Sequence, residues 1–377
     1  MSLRVTLVIS SLWGGGAERV LSVLANGWAE QGHHISILTF DHGGGPTYPV
    51  HSSVSLFPLG LERRSRFLAQ AVLANIRRIW VLRHAIKRLQ PDIIVSFMVQ
   101  ANVLTLLATR GLNIPVIVSE RTSPRRRSIG PIWRGLRKLS YPFADLLVCP
   151  TRSGLAGFQA MIKVQGIAIP NPVVVPTGVK CCQCAHPNSH ILVAMGRLIP
   201  EKGFDLLLEA FALIGDRHPE WRLNIIGEGP LLSELEEQSK TLKLEGRIRF
   251  VGKLIDPFPA LRAADLFVLS SRFEGFPMAL AESMACGLPV ISFDCPEGPR
   301  DIIRDGIDGV LVPPGDVAAL AAVLDRLMSN SQERARLAAR APEVTTRFSR
   351  EHILSQWQQL FDELLSAKGI SPVRTVV

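Results

Sequence analysis

Short runs of Val, Ile and Leu recur along the chain and alternate with segments in which apolar residues return every three or four positions. The strand-like runs are RVTLVIS, HISILTF, DIIVSFM, PVIVSE and DLLVCP, then HILVAMG, RLNIIG, IRFVG, DLFVLSS, PVISF and GVLVPP. Continuous apolar runs of this length are typical of strands buried on both faces, and their alternation with helices indicates parallel sheets. The pattern predicts an α/β protein with two doubly wound domains.

The boundary between the domains is predicted near residues 170–190. The segment IPNPVVVPTGVKCCQCAHPNSH is rich in proline and has neither helical nor strand periodicity. We therefore expect a first domain over residues 1–170, a linker over 171–189 and a second domain over 190–348. The segment SREHILSQWQQLFDELLSAKG predicts a terminal amphipathic helix that ends at Gly369, within residues 349–377.

The net charge of +9 is unevenly distributed. Residues 62–138 contain sixteen Lys and Arg against three acids, a local charge of +13, so the remainder of the chain carries −4. An excess of this size favours an anionic partner, which is a phospholipid head group, a phosphorylated lipid or nucleic acid.

The basic region contains the segment ERRSRFLAQAVLANIRRIWVLRHAIKRLQPD, which predicts a long helix with an apolar stripe from Leu68 to Leu89. A basic amphipathic helix with an interfacial Trp suits an anionic membrane surface, where each cation adds on the order of 1 kcal/mol. In the alternative, the stripe faces the domain core and the charges are merely solvated. The two interpretations are compatible if the stripe is buried and the basic flank contacts lipid. The predicted acceptor and membrane contacts are Gly14, Arg77, Arg78, Trp80, Arg125, Arg126 and Arg127.

No stretch reaches the roughly 20 continuous apolar residues of a membrane span. The N-terminal run reads as a first strand and not as a cleaved signal, so we expect a cytoplasmic protein, peripheral on the inner face of the membrane. Cys149, Cys286 and Cys295 lie singly, as reduced buried thiols do. The cluster CCQC lacks a second Cys or His pair at zinc spacing, so a variable linker is favoured over a metal site.

The segment LWGGGAER follows the first strand and opens a helix. Gly15 and Gly16 let backbone N–H groups approach a ligand closely, and a helix start favours anions. A dinucleotide fingerprint requires a further glycine at position 19, which is Arg19, so a nicotinamide or flavin cofactor is disfavoured. A tight turn without a ligand is the alternative.

In the second half, MGRLIPEKGFD again joins a strand to a helix. It offers Arg197 and Lys202, a guanidinium and an ammonium that suit a diphosphate at the carboxyl edge of a parallel sheet. The next strand ends in IIGEGP, where Gly227 and Glu228 predict a turn near the ligand. This signal is weak alone and is strengthened only by the position of the turn after a strand of the same sheet. Two solvated surface charges are the alternative for Arg197 and Lys202.

The stretch FEGFPMALAESMACGLPVIS sets Glu274 before a helix and Glu282 within it. Pro277 is preset for a first helical turn, so the backbone N–H groups that follow face the crevice at the sheet edge. Since a carboxylate accepts hydrogen bonds from paired hydroxyls, one acid can hold a ribose and the other a sugar, with a diphosphate between them. The residues of this stretch predicted to bind are Glu274, Gly275, Pro277, Met278, Ala279, Leu280 and Glu282.

With GGGAER near the start, the motifs GRLIPEKGFD, IIGEGP and EGFPMALAESMACGLPVIS resemble the retaining glycosyltransferases of family 4, which have the GT-B fold of two facing Rossmann-like domains. The resemblance implies that Arg197 and Lys202 bind the donor diphosphate, Glu282 the ribose and Glu274 the transferred sugar. It also implies that the glycine loop faces the donor phosphates and the acceptor, and that the terminal helix crosses back to the first domain.

The chain departs from many family members at VSERTSP, where Arg121 replaces a histidine of the first domain. A subset that resembles polyprenyl-linked oligosaccharide transferases shares this SER form and a segment like CPEGPRDII, residues 295–303. An arginine cannot act as a base, but it can stabilise phosphate charge, so Arg121 joins Glu274, Arg197 and Lys202 as a predicted catalytic residue.

The resemblance implies transfer with retention from a nucleotide sugar to a lipid-linked or glycan acceptor. A UDP-linked hexose or N-acetylhexosamine is favoured, with GDP-mannose as the alternative. The chain has no Asp-x-Asp triplet, so we expect transfer without a metal or other cofactor. The alternatives are a GT-B sugar-nucleotide epimerase, which tends to lack this Arg and Lys spacing, and a nucleic-acid-binding protein, for which the chain has neither zinc-finger spacing nor an RNP-like aromatic strand. We expect no nucleic-acid partner.

Overall fold

The computed structural model describes residues 2–61, 68–124, 129–174 and 190–369. The chain divides into two compact units, Met1–Pro172 with Arg350–Val377, and Val173–Ser349. Most of the segment predicted as a linker, including CCQC, lies outside the described residues.

The first unit contains a seven-stranded sheet in which every pairing is parallel, with the strand order β3-β2-β1-β4-β5-β6-β7. Its strands are β1 (Arg4–Ile9), β2 (His34–Thr39), β3 (Ser55–Pro58), β4 (Ile93–Phe97), β5 (Val116–Ser119), β6 (Leu146–Cys149) and β7 (Gly166–Ala168). Its first five helices are α1 (Gly16–Glu30), α2 (Leu68–Leu89), α3 (Val99–Ala108), α4 (Pro131–Ser140) and α5 (Arg152–Gln159).

The second unit contains a six-stranded parallel sheet in the order β10-β9-β8-β11-β12-β13. Its strands are β8 (His190–Met195), β9 (Trp221–Ile226), β10 (Ile248–Gly252), β11 (Leu266–Leu269), β12 (Val290–Phe293) and β13 (Val310–Val312). Its helices are α6 (Phe204–Ile214), α7 (Leu232–Thr241), α8 (Phe258–Arg262), α9 (Met278–Ala285), α10 (Pro299–Ile302), α11 (Val317–Ser329), α12 (Ser331–Arg340) and α13 (Val344–Arg347).

The last helix, α14 (Arg350–Ala367), belongs to the first unit and packs on α1. The rings of Trp357 and Phe361 meet the fully buried Trp28 at centroid distances of 5.7 and 5.2 Å. Gly27 allows this approach, because a Cβ there would lie 2.4 Å from Leu354 Cδ1. The aromatic positions of α14 therefore fix it to the first helix of the chain.

In each sheet the strand order reverses at one place, between β1 and β4 in the first unit and between β8 and β11 in the second. Helices leave the two strands beside such a point toward opposite faces, which opens a crevice at the carboxyl edge. Open parallel sheets bind their ligands in that crevice. The predicted motifs GGGAER, GRLIPEKGFD and EGFPMALAES follow β1, β8 and β11, so they all lie at these edges.

Candidate active site

A lysine and a glutamate meet at the edge of the second sheet, on the loops that follow β8 and β11. Lys202 Nζ donates to Glu274 Oε1 over 2.6 Å, and Ser271 Oγ donates to the same oxygen over 2.6 Å. The side chain of Glu274 is 8% exposed and that of Lys202 is 21% exposed. Two of the predicted catalytic residues thus form a mostly buried ion pair.

The two loops are joined by their backbones. Gly203, which follows Lys202, has φ of +61°, and a Cβ there would lie 2.1 Å from the carbonyl oxygen of Ser270. Ser270 Oγ donates to Lys202 O over 3.0 Å, and Arg272 forms two hydrogen bonds with the carboxylate of Asp205. The close approach of Gly203 to the Ser270 carbonyl explains why PEKGFD has a glycine at this position. Together with the hydrogen bond from Ser270 to Lys202 O, it holds Lys202 beside Glu274.

The N-cap residue of α9 makes no side-chain hydrogen bond to the backbone N–H groups of the first turn. Its N-cap is Pro277, and its first turn, Met278 to Leu280 with Ala279 between, contains no acid. Gly298 from the loop after β12 packs here, because a Cβ would lie 2.6 Å from Pro277 Cδ and 3.4 Å from Gly275 O. An uncapped helix start beside an ammonium suits an anion such as a phosphate.

Gly227 and Glu228 lie on the loop after β9, next to the loop that carries Arg197. A Cβ at Gly227 would lie 1.9 Å from the carbonyl oxygen of Gly196, and Leu198 N donates to Glu228 O over 2.9 Å. Gly227 is therefore needed for close approach of two backbones. The side chain of Arg197 is exposed at this edge.

Glu282 lies in α9 and is only 3% exposed. Burial raises the pKa of the Cys286 thiol to about 11, with Glu282 and Asp256 raising it further and Arg262 lowering it. Glu282 therefore lies in a charged neighbourhood deeper in the unit than Arg197. Its predicted contact with a ribose stays a prediction.

Three residues near the ion pair were not predicted. Ser271 binds Glu274, and Cys295 and Glu297 are buried in the loop after β12. Burial raises the pKa of the Cys295 thiol, the negative charges of Glu274 and Glu297 raise it further, and the positive charge of Lys202 lowers it. The sequence did contain a signal for Cys295 and Glu297. They follow β12, which is adjacent to β11, and the loops after adjacent parallel strands lie at the same edge of the sheet.

The glycine loop of the first unit differs from this arrangement. Gly14 has φ of +55°, Gly15 is the N-cap of α1, and Gly16 is its first residue. A Cβ at Gly15 would lie 2.3 Å from Glu18 Oε2, so a carboxylate already lies against this helix start. That negative charge weighs against a phosphate at Gly15 and Gly16.

Arg121 follows β5 and is 9% exposed. Its Nη1 donates to Asn171 Oδ1, and its guanidinium lies 5.3 Å from the ring centroid of Phe97. Within the described part of the chain, its buried Nε and Nη2 have no hydrogen-bond partner. Burial lowers the pKa of Arg121 to about 10, so it remains a cation at neutral pH.

The predicted membrane helix is buried over only part of its length. Of the stripe residues of α2, Leu82 and Ile86 are fully buried, whereas Val72 and Ile76 are 54% and 57% exposed; Trp80, which lies off the stripe, is 71% exposed. Stripe residues thus face the core in the second half of the helix and solvent in the first half.

The predicted basic residues are placed differently from one another. Arg77 is exposed on α2, beside that apolar face. Arg78 instead donates from Nε and Nη2 to Leu61 O. Arg125, Arg126 and Arg127 lie outside the described residues.

The described residues contain neither a membrane-spanning helix nor a cluster of metal ligands. None of the helices there is long and apolar enough to cross a membrane. No group of three or more His, Cys, Asp and Glu in the same residues could hold a metal ion.

Two protein-family models match consecutive parts of the chain. Residues 14–181 match Glycosyltransferase Family 4, and residues 185–344 match Glycosyl transferases group 1. Together they cover most of both units and the motifs GGGAER, GRLIPEKGFD, IIGEGP and EGFPMALAESMACGLPVIS.

Relatives and a solved structure match nearly the whole chain. The GalNAc-α-(1→4)-GalNAc-α-(1→3)-diNAcBac-PP-undecaprenol α-1,4-N-acetyl-D-galactosaminyltransferase of Campylobacter jejuni is 29% identical over 367 residues, 97% of this chain and 100% of the relative. The lipopolysaccharide core biosynthesis glycosyltransferase LpsE of Rhizobium meliloti is 29% identical over 365 residues, 92% of this chain and 95% of the relative. The fold matches that of sucrose-phosphate synthase from Thermosynechococcus elongatus with a TM-score of 0.81 at 20% identity, over 97% of this chain and 100% of that one. Neither the epimerase nor the nucleic-acid-binding alternative is favoured by these matches, and the chain belongs to the family 4 glycosyltransferases of GT-B fold.

Proposed function

We propose that this glycosyltransferase moves a hexose or N-acetylhexosamine from a UDP-sugar to a lipid-linked oligosaccharide at an anionic membrane surface. The observation that carries the donor half of this proposal is the Lys202–Glu274 pair beside the uncapped start of α9. The acceptor half is supported by the Campylobacter jejuni relative, whose name specifies transfer to an undecaprenyl-diphosphate saccharide.

The Lys202–Glu274 ion pair exchanges partners when the donor binds. Without a ligand, the ammonium of Lys202 and the carboxylate of Glu274 neutralise each other. A diphosphate at the start of α9 draws the ammonium of Lys202 and the exposed guanidinium of Arg197 toward its own oxygens. The carboxylate of Glu274 is then left to accept hydrogen bonds from hydroxyls of the transferred sugar, which stabilises the positively charged sugar ring of the transition state.

The leaving diphosphate is stabilised by the same groups. In this proposal, Lys202, Arg197 and the N–H groups of Met278 to Leu280 stabilise the negative charge that develops as the bond from the sugar to the diphosphate breaks. In this proposal the charge is carried without a metal. The departing phosphate oxygen takes the proton of the acceptor hydroxyl on the same face of the sugar, which gives retention.

The membrane surface is proposed from the exposed face of α2. Val72, Ile76 and Trp80 present apolar side chains beside the cation Arg77, as in helices that lie at lipid interfaces. On α4, Ile132 and Leu139 are 59% and 72% exposed, which adds a second apolar surface on the same unit. A lipid-linked acceptor reaches the enzyme from that surface.

Thermal-shift measurements with UDP, GDP and their sugars test the donor. We expect stabilisation by UDP and by one UDP-sugar, because binding to the folded state alone raises the unfolding temperature. Transfer is then measured from that sugar to an undecaprenyl-diphosphate saccharide, with the anomeric configuration of the product read by NMR. A shift with GDP compounds alone would show that the donor is a GDP-sugar and not a UDP-sugar. A product of inverted anomeric configuration would exclude retention.

A further inference from the structure

Two adjacent serines follow β11 and contact the two members of the ion pair in different ways. Ser270 Oγ donates to Lys202 O over 3.0 Å, whereas Ser271 Oγ donates to Glu274 Oε1 over 2.6 Å. The first hydroxyl therefore fixes a backbone, and the second contacts the carboxylate itself. A hydrogen bond to a charged group is among the stronger ones in proteins.

The backbone that carries Ser271 is fixed on both sides. Gly203 packs against the Ser270 carbonyl, and Arg272 N donates to Glu201 O over 2.8 Å. Ser271 is 1% exposed, so its hydroxyl is shielded from water. A buried donor on a fixed backbone gives the carboxylate that accepts from it a preferred orientation.

Both hydrogen bonds to the carboxylate of Glu274 reach the same oxygen. Lys202 Nζ and Ser271 Oγ each donate to Oε1 over 2.6 Å, and Oε2 accepts no hydrogen bond from the described residues. The serine therefore holds one side of the carboxylate independently of the lysine. If the lysine leaves, the hydroxyl still has its acceptor.

We propose that Ser271 is the positioning residue of Glu274 during sugar transfer. This inference rests on the proposed function, since it concerns how the same carboxylate meets the transferred sugar. When the ammonium of Lys202 turns to the diphosphate, the hydroxyl of Ser271 keeps Oε1 and restrains rotation of the carboxylate. Oε2 then accepts from the sugar hydroxyls without reorganisation, which stabilises the transition state.

Transfer kinetics test this positioning role. Ser271→Ala should lower kcat on the order of 10-fold, with the KM for the donor and the affinity for UDP changed by less than about 2-fold, because the lost hydroxyl contacts the carboxylate and not the nucleotide. Ser271→Thr keeps a hydroxyl and should retain most of the rate. An unchanged kcat in Ser271→Ala overturns the proposal, as does an equal loss in Ser271→Thr.

The matched control is Ser239→Ala in the same unit. Ser239 is also a buried serine, but its hydroxyl donates over 2.7 Å to Glu236 O in its own helix, α7. This variant should keep the wild-type kcat. Thermal unfolding of both alanine variants shows whether a loss of rate is only a loss of folded protein.

A double-mutant cycle with Glu274→Ala separates positioning from a merely structural role. If Ser271 acts through the carboxylate, Ser271→Ala should cost on the order of 10-fold in the wild-type background and no more than about 2-fold when Glu274 is already replaced. The residual rates are measured with excess enzyme and radiolabelled donor. Equal losses in the two backgrounds overturn the inference and leave the proposed function standing. A wild type that transfers no sugar overturns the proposed function and this inference with it.

Discussion

Each unit places a buried glutamate just beyond a strand of its parallel sheet, and the two glutamates have different neighbours. Glu274 follows β11 and accepts hydrogen bonds from the ammonium of Lys202 and the hydroxyl of Ser271. Glu120 follows β5, is fully buried, and accepts from the hydroxyl of Tyr141. Burial raises the pKa of Glu120 to about 7, although Tyr141 and the nearby Arg137 lower it. Position on the sheet therefore does not decide the chemistry of an acid; its immediate partners do.

In the proposed function, this difference separates a carboxylate that acts on the substrate from one that supports the fold. Glu274 is paired with a cation that a diphosphate can draw away, so its hydrogen-bonding capacity is available to a substrate. Tyr141 also accepts from Asn102 Nδ2, which in turn donates to Ser119 O, so Glu120 belongs to a polar network inside the unit. We expect mutations to act on turnover at the first of these acids and on stability at the second.

The largest effect is predicted for Glu274→Ala. Loss of the carboxylate removes stabilisation of the transferred sugar in the transition state, which should lower the transfer rate on the order of 100- to 1,000-fold. Nucleotide binding should be largely spared, because Lys202 then binds the diphosphate without competition. Initial rates and UDP affinity from calorimetry measure the two effects, and Glu236→Gln, an exposed acid on α7, is the control. Unchanged turnover would contradict the assignment of Glu274.

The second prediction is a pH-dependent stability that originates at Glu120. Between its ordinary pKa of 4.5 and its folded value of about 7, the folded chain keeps a proton that the unfolded chain has released. The free energy of unfolding therefore falls as pH rises through this window, by about 3 kcal/mol relative to Glu120→Gln, whose amide does not titrate. Chemical denaturation of both proteins across this range measures the difference. Parallel pH profiles would show that Glu120 does not titrate there.

The third prediction concerns Glu282 and nucleotide affinity. If its carboxylate binds the ribose diol, Glu282→Ala should weaken UDP binding about 10- to 100-fold, as expected for hydrogen bonds to a charged group. Glu282→Gln preserves the shape of this buried side chain and separates lost binding from lost folding. Calorimetric titration with UDP, checked by thermal unfolding without ligand, distinguishes the two. Full UDP affinity in a folded Glu282→Gln would assign Glu282 to the interior of α9 and not to the donor.

The predictions from apolar patterning succeeded where strands are buried. Each of the eleven predicted apolar runs coincides, to within a residue or two at its ends, with a strand of one of the two parallel sheets, and the predicted fold and family are confirmed. The strands β3 and β7 were not predicted. All four residues of β3 are exposed, and β7 has only three residues, none of them fully buried, so neither carries a continuous buried apolar run.

The candidate site was predictable as a set of loops and not as a set of contacts. Carboxyl ends of parallel strands share an edge, so the order of motifs along the chain brings Lys202 and Glu274 to one place. Their direct ion pair depends on Gly203 crossing the Ser270 carbonyl, and on side-chain conformations that the sequence pattern does not contain. The position of the Glu18 carboxylate against Gly15 likewise depends on a side-chain conformation that the sequence pattern does not contain.

Apolar periodicity along α2 could not distinguish burial from exposure. The stripe repeats evenly from Leu68 to Leu89, yet Leu82 is fully buried and Val72 is 54% exposed. A repeat identifies which residues share a helix face, whereas the surface that covers this face belongs to other parts of the chain. The exposed half of α2 is therefore where the membrane proposal is tested.

The smallest effect is predicted for Arg77, on that exposed half. Its charge should contribute on the order of 1 kcal/mol to binding at an anionic surface, so Arg77→Ala should lower the partition coefficient about 5-fold on vesicles of phosphatidylglycerol and phosphatidylcholine. Binding to phosphatidylcholine alone should be weak, and added salt should reduce the difference between wild type and variant, because exposed charges are screened. Vesicle co-sedimentation measures both.

Two variants show whether the effect is local to α2. Arg249→Ala removes an exposed cation from β10 of the other unit and should bind vesicles as the wild type does. Trp80→Ala should weaken binding to the anionic vesicles with little dependence on salt, since an indole acts at the interface through its apolar area. If Arg77→Ala and Arg249→Ala lose the same affinity, net charge alone governs binding and α2 is not the membrane face. If Trp80→Ala and Arg77→Ala both match the wild type, the exposed residues of α2 serve another purpose, and the acceptor reaches the enzyme by a different surface.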